Sequence, residues 1–147
     1  RCNLSVMNMS KSGSSTKTIL QSYLNNHKKT KYDFIFINYG FNDSWRNYKK
    51  NLKILSDQLN SEYKIFVGEP SRITYVHSEN YNQTYLLANE LNSTFIATKN
   101  ENWLKDNDNL GLFFWDKVHL TDVGHKYLAD TIFRNSIEYI KKNNPCF

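Results

Sequence analysis

The sequence predicts an α/β chain built as a doubly wound parallel sheet with helix layers on both faces, and three observations carry that expectation. Short runs rich in Ile, Phe and Val, such as Tyr-Asp-Phe-Ile-Phe-Ile-Asn at 32–38, show no helical period and end in turn residues, as buried parallel strands do. Segments with apolar residues at helical spacing separate these runs. Strands that alternate with helices imply parallel crossover units rather than hairpins. With 147 residues and 39% hydrophobic content, the chain suits one domain, 1–147, with a real core.

The elements follow in order. Residues 3–8 are a short strand candidate, and a Ser-rich turn through Gly13 leads into a helix whose Ile19, Leu20, Tyr23 and Leu24 share an apolar face. A polar connection at 27–31 precedes a strand at 34–38, which delivers the Gly40 loop. The next helix, 45–59, places Tyr48, Leu52, Leu55 and Leu59 on one side. A strand at 64–67 is broken by Gly68-Glu69-Pro70, and 81–91 reads as a helix interrupted by Asn and Gln. The last strand is 94–97, followed by a polar loop, 100–112, that carries Trp103. Thr121 reads as the N-cap of a closing helix through Lys142, with Asp122 in its first turn and Leu128, Ile132, Phe133, Ile137 and Ile140 on one side.

The formal charge of +5 and pI near 9.1 invite a nucleic-acid reading, but no basic run exceeds two consecutive residues. A phosphate-binding face clusters Arg and Lys instead, so the charge reads as solvated surface and no nucleic-acid partner is expected. No run reaches the length of a membrane span. Cys2 and Cys146, the only cysteines, sit at the two ends; in an exported, secreted or periplasmic protein they could pair, and otherwise they are inert thiols. Sequons occur at Asn3, Asn8, Asn42, Asn82 and Asn92, as an Asn-rich chain also produces by chance. His27, His77, Asp106 and Asp108 lack metal-ligand spacing, so neither a metal nor another cofactor is expected.

The chemistry-bearing stretch is Phe-Phe-Trp-Asp-Lys-Val-His-Leu-Thr-Asp-Val-Gly at 113–124. Asp116 and His119, three apart on a loop just before a rigid helix, suit a general base and its orienting partner. The carboxylate would take the Nδ1 proton and leave Nε2 to accept one from a nucleophile. Such a pair also occurs as a plain surface hydrogen bond, and a second stretch raises the catalytic reading. The strand ending at Asn38 delivers Tyr-Gly-Phe-Asn-Asp-Ser-Trp at its carboxyl end, where open α/β sheets place their chemistry.

Gly40-Phe41-Asn42-Asp43 resembles the Gly-x-Asn-Asp block of the SGNH (GDSL-type) hydrolase superfamily, and Asp116-Lys117-Val118-His119 resembles its Asp-x-x-His block. Asn8-Met-Ser-Lys-Ser12-Gly13-Ser-Ser15 is similar to that family's Asn-x-Gly-x-Ser-Gly-x-Thr block, with Ser10 and Ser15 as departures. The three blocks stand in the family's order. The family's Gly-Asp-Ser block, which carries the nucleophile, does not occur, and the chain is expected to be the C-terminal part of a longer protein. A signal peptide would then lie upstream of Arg1. The resemblance implies a flavodoxin-like strand order whose central first strand is missing, so these residues alone are expected to fold poorly.

The resemblance implies the following roles. His119 is the general base and then the acid, Asp116 orients it, and Asn42 donates its side-chain amide to an oxyanion, with the Gly13 N–H as a second donor. Asp43 braces its loop. Trp115 and Phe41 are candidates to line the substrate cleft, and with Phe113 and Phe114 nearby Trp115 either stacks on a sugar or packs in the core. His125 has a packing or surface role, while Ser10, Ser12 and Ser44 lack the Gly-Asp-Ser context. The implied activity is metal-free serine ester hydrolysis of a small ester, on an acylated carbohydrate or a lipid or thioester. Two alternatives stay open. One is a non-catalytic glycan- or partner-binding domain; the other, a nucleotide-binding module, is disfavoured because no Gly-rich phosphate loop follows the first strand.

Overall fold

The computed structural model describes residues 5–22, 30–70, 75–98, 111–116 and 119–144. Three strands, β1 (Tyr32–Ile37), β2 (Ser61–Val67) and β3 (Thr94–Ile96), pair in parallel in the order β1-β2-β3. Four helices accompany them: α1 (Thr16–Ser22), α2 (Trp45–Gln58), α3 (Tyr75–Glu90) and α4 (Asp122–Asn143).

Successive side chains along a strand point to opposite faces, and this alternation divides the core. Ile35, Ile37 and Phe66 pack with Ile19 of α1, Tyr48, Leu52 and Leu55 of α2, and Leu87 and Ala88 of α3. On the other face, Ile65, Val67 and Ile96 meet Phe34 and, from α4, Ile132 and Tyr139. The result is the expected three-layer α/β/α arrangement. Tyr63 joins the second face through Phe34, stacked at 5.1 Å, and Tyr139, edge-on at 5.9 Å.

The helix ends obey capping chemistry. Thr121 Oγ1 accepts from the Gly124 N–H at 3.1 Å as the N-cap of α4, with Asp122 in the first turn and Lys141 and Lys142 in the last. At α1, the Thr18 N–H donates to Ser15 Oγ at 3.3 Å while the Ser15 N–H donates to Thr18 Oγ1 at 2.8 Å, a reciprocal capping box. At the end of α3 the chain reverses at Asn92, φ 50°, and the Ser93 N–H reaches back to Ala88 O at 2.8 Å.

Several expectations need correction. Of the strand candidate at 3–8, residues 5–8 are exposed and irregular, because Asn8 Oδ1 accepts from the Ser10 N–H at 2.9 Å and offers a local turn in place of a ladder. β1 is not buried on both faces: Phe36 is 44% exposed, since α4 packs over β2 and β3. β2 begins at Ser61, three residues early. α3 starts at Tyr75 rather than 81. Of its interrupting polar residues, Gln83 is a tertiary tie, donating to Trp45 O at 3.2 Å and accepting from the Lys49 N–H at 3.1 Å. Phe133 is 61% exposed, because α4 turns its small residues Gly124, Thr131 and Ser136 inward instead. Cys2, Cys146, His27, Trp103, Asp106 and Asp108 lie outside the described residues.

Gly124 sits where a helix normally disfavours glycine by about 1 kcal/mol. A Cβ there would lie 2.1 Å from the backbone oxygen of Phe113 and 2.9 Å from Leu120 Cδ2. Gly124→Ala is therefore expected to destabilise the protein by roughly 1–3 kcal/mol, against its helix propensity. A urea midpoint at or above wild type would refute this packing constraint.

Candidate active site

The first part of the site is the turn before α1. Ser14 N–H donates to Lys11 O at 3.2 Å, and Gly13 at the third position has φ +70°, the left-handed conformation that a type II turn requires there. A Cβ on Gly13 would meet nothing within 4 Å, so backbone conformation rather than space favours the glycine. The turn leaves the Gly13 region exposed at the start of the helix.

The second part is the loop that follows β1. Asn38 Nδ2 donates to Val67 O at 3.2 Å and Gly68 O at 3.4 Å, and Thr98 Oγ1 donates to Gly68 O at 3.0 Å. These bonds lace the carboxyl ends of the three strands together. Beyond Asn38, Gly40 adopts φ +138°, a conformation that L side chains rarely enter. Tyr48 Oη donates to Tyr39 O at 2.5 Å from below. Burial pushes the Tyr48 hydroxyl well above its ordinary range, so it stays protonated and able to donate.

Asp43 ties the two parts to each other. Its carboxylate is 6% exposed and accepts the Thr16 N–H at 3.0 and 3.1 Å and the Thr16 hydroxyl at 2.5 Å, which satisfies the amino end of α1. Burial raises this carboxyl above its ordinary value, and the Thr16 donors pull the other way. The expected bracing role for Asp43 is thus observed. Its neighbour Asn42 is exposed, with Nδ2 donating a long 3.3 Å bond to Ser14 O. One amide hydrogen remains for a ligand.

The third part is a tight reversal at 111–121. Phe114 and Leu120 form an antiparallel bridge, the Trp115 N–H donates to His119 O at 2.8 Å, and the Thr121 N–H donates to Phe113 O at 3.0 Å. The Thr121 hydroxyl donates to Leu112 O at 2.5 Å, fixing the reversal to the cap of α4. Phe113 and Phe114 are buried beneath it with Leu120 and Leu128. On this base Asp116 accepts twice from His119: from its backbone N–H on Oδ1 and from its Nδ1 on Oδ2, each at 2.8 Å. An ionised carboxylate only accepts, so Nδ1 carries a proton, and Nε2 is the nitrogen that a neutral ring leaves bare.

Among the described residues, the hydrogen bonds therefore gather the four chemical candidates as two pairs, Asn42 with the Gly13 turn and Asp116 with His119. Trp115 is 74% exposed, so it does not pack in the core. Phe41 is half-buried within the loop. His125 is a surface residue whose Nδ1 reaches Thr121 O at 3.0 Å. No three His, Cys, Asp or Glu among the described residues cluster as metal ligands would, and no described helix is long and apolar enough to cross a membrane.

Sequence reasoning missed Asn80, Tyr48 and Thr84 as parts of the site's support. Tyr48 and Thr84 read as helix positions, and only tertiary contact reveals that Thr84 Oγ1 lies 2.8 Å from Tyr48 Oη.

No protein-family model matches the chain, and no curated protein matches it in sequence. Solved structures do match. An acetylxylan esterase from Geobacillus stearothermophilus superposes with TM-score 0.69 at 20% identity, over 84% of this chain and 68% of that one. A protein described as a GDSL-like lipase from Parabacteroides merdae gives TM-score 0.70 at 16% identity, over 85% and 69%. An α/β hydrolase from the metagenome of Lake Arreo gives 0.65 at 16% identity, also over 85% and 69%. The chain has the SGNH (GDSL-type) hydrolase-like α/β fold.

Proposed function

We propose that this chain carries the dyad and two oxyanion donors of a serine ester hydrolase working through an acyl-enzyme. The carrying observation is the pair of hydrogen bonds that His119 makes to Asp116, which fix both the position and the tautomer of the ring. The acetylxylan esterase supports the reading. Catalytic mutants of that enzyme replace a histidine and an aspartate three positions before it, and a further variant replaces the tryptophan directly before the aspartate. Trp115, Asp116 and His119 have the same spacing here.

The chemistry runs as follows. His119 Nε2 takes the proton of a serine hydroxyl supplied from outside these 147 residues, and the oxygen attacks the ester carbonyl carbon. Charge develops on the carbonyl oxygen, where the Asn42 amide, the Gly13 N–H and the serine's own N–H would stabilise it. His119 then gives its proton to the leaving alcohol, and water repeats the sequence to free the acid. Neither step needs a metal or another cofactor.

A short acyl group on a carbohydrate is the substrate class that the exposed Trp115 favours. An indole 74% exposed on a tightly bonded reversal, one residue from the dyad, offers a flat apolar face to the C–H side of a sugar ring. A lipid or thioester would ask instead for a continuous apolar channel.

In the complete protein, His119→Ala should abolish hydrolysis of p-nitrophenyl acetate without unfolding. Asn42→Ala should lower kcat by on the order of a hundredfold or more with little change in KM. Wild-type rates in either variant would refute the assigned role. A serine-directed phosphonate should label one serine; failure to label would favour a non-catalytic glycan- or partner-binding domain.

Trp115→Ala tests the substrate class separately. It should raise KM several-fold for an acetylated xylo-oligosaccharide and leave p-nitrophenyl acetate kinetics unchanged. Equal effects on both substrates would remove the sugar platform.

A further inference from the structure

The loop that carries Asn42 is gripped from below by a residue that the proposed chemistry never touches. Asn80, on α3, is fully buried, and its Nδ2 donates to Gly40 O at 2.7 Å and to Asp43 O at 3.0 Å. Those two carbonyls bracket Phe41 and Asn42. The loop's own closing bond, from the Asp43 N–H to Gly40 O, is long at 3.4 Å. Geometry therefore assigns most of the restraint to the external donor.

The two hydrogens of one carboxamide nitrogen lie in a plane at a fixed angle, so a single side chain fixes two points of the loop at once. The orientation of that amide follows from its partners, because a flipped group would face its oxygen toward two carbonyl oxygens. As placed, Asn80 Oδ1 is buried with no hydrogen-bond partner. An unpaired buried acceptor is costly to keep, and such groups call for an explanation. Here both donors are committed to the loop, and the acceptor is left over.

We infer that Asn80 is a positioning residue for the oxyanion site, holding the 40–43 loop so that the Asn42 amide faces the reacting carbonyl. This rests on the role proposed for Asn42. Its partners reinforce it: the Asp43 carboxylate fixes the far side of the loop to Thr16, and Tyr48 holds the near side at Tyr39 O. An oxyanion donor displaced by a fraction of an ångström loses much of its effect, since the benefit depends on preorganisation.

A double-mutant cycle on the complete enzyme with p-nitrophenyl acetate tests the inference. Asn80→Ala should lower kcat by on the order of tenfold with KM changed less than about twofold. In the Asn42→Ala background the same change should lower kcat less than about twofold further, because its effect passes through Asn42. Leu87→Val, a core change on the same helix, should lower thermal stability with kcat intact, which separates loop placement from general loosening. If Asn80→Ala does not fold, Asn80→Ser, which keeps one donor, is read the same way.

Wild-type kcat in the Asn80 variant, or full additivity with Asn42→Ala, overturns the inference alone. Wild-type kcat in Asn42→Ala overturns the oxyanion reading, and this inference with it.

Discussion

The bond set of the Asp43 carboxylate is the constraint on which the site's geometry depends. Three donor contacts from Thr16 meet one buried acid, so the amino end of α1 and the loop after β1 cannot move independently. Burying a carboxylate is expensive unless its lone pairs are filled, and here a helix terminus with unsatisfied N–H groups fills them. Each side cancels the other's deficit. The Gly13 turn, which precedes α1, and Asn42, which precedes Asp43, are thereby held in one frame without having to bond each other strongly.

That frame sits on the sheet rather than floating above it. Four side chains converge on the strand ends: Asn38 just beyond β1, Tyr48 from α2, Asn80 from α3 and Thr98 beyond β3. All donate to carbonyls at or just beyond the strand ends. A loop at the end of a parallel sheet has carbonyls with no strand partner, and a ring of side-chain donors completes them. Such a loop is rigid for the same reason that a buried polar network is: losing one donor leaves an acceptor that water cannot reach. Gly68 shows how tightly the packing closes, since a Cβ there would lie 2.3 Å from the Tyr81 ring.

The features legible in the sequence were those encoded by local chemistry. Apolar runs without helical period gave β1 and β2, apolar residues at helical spacing gave α2, and Thr121 with Asp122 gave the start of α4 almost to the residue. The Asp116 and His119 pair was legible because its spacing is short enough to close within one reversal. What stayed hidden was set by partners distant in sequence. Gln83 looked like a flaw in a helix, and Asn80 fell just before the expected helix start at 81, because their value lies in carbonyls and amides some forty residues away. Phe36 looked buried because its residue type gives no sign that α4 lies over the other two strands. Residues 5–8 looked like a strand because a hydropathy pattern cannot register that Asn8 would bond its own backbone neighbourhood.

The Asp116–His119 pair presents the opposite situation from the loop that carries Asn42. The His119 side chain is 74% exposed and that of Asp116 53%, so their mutual attraction is screened by water and worth little as an ion pair. Its order comes from elsewhere: the His119 backbone N–H occupies one carboxylate oxygen, and the reversal is anchored through Phe114, Trp115 and Thr121. The reversal and the carboxylate together place the imidazole, and the carboxylate also selects which nitrogen is bare. The same two hydrogen bonds would count for more if the water around them were displaced. Under the proposed function, a substrate lying across the indole of Trp115 would displace that water. On that proposal, binding and activation of the base would be one event, driven by burial of the aromatic surface that the free protein leaves in solvent.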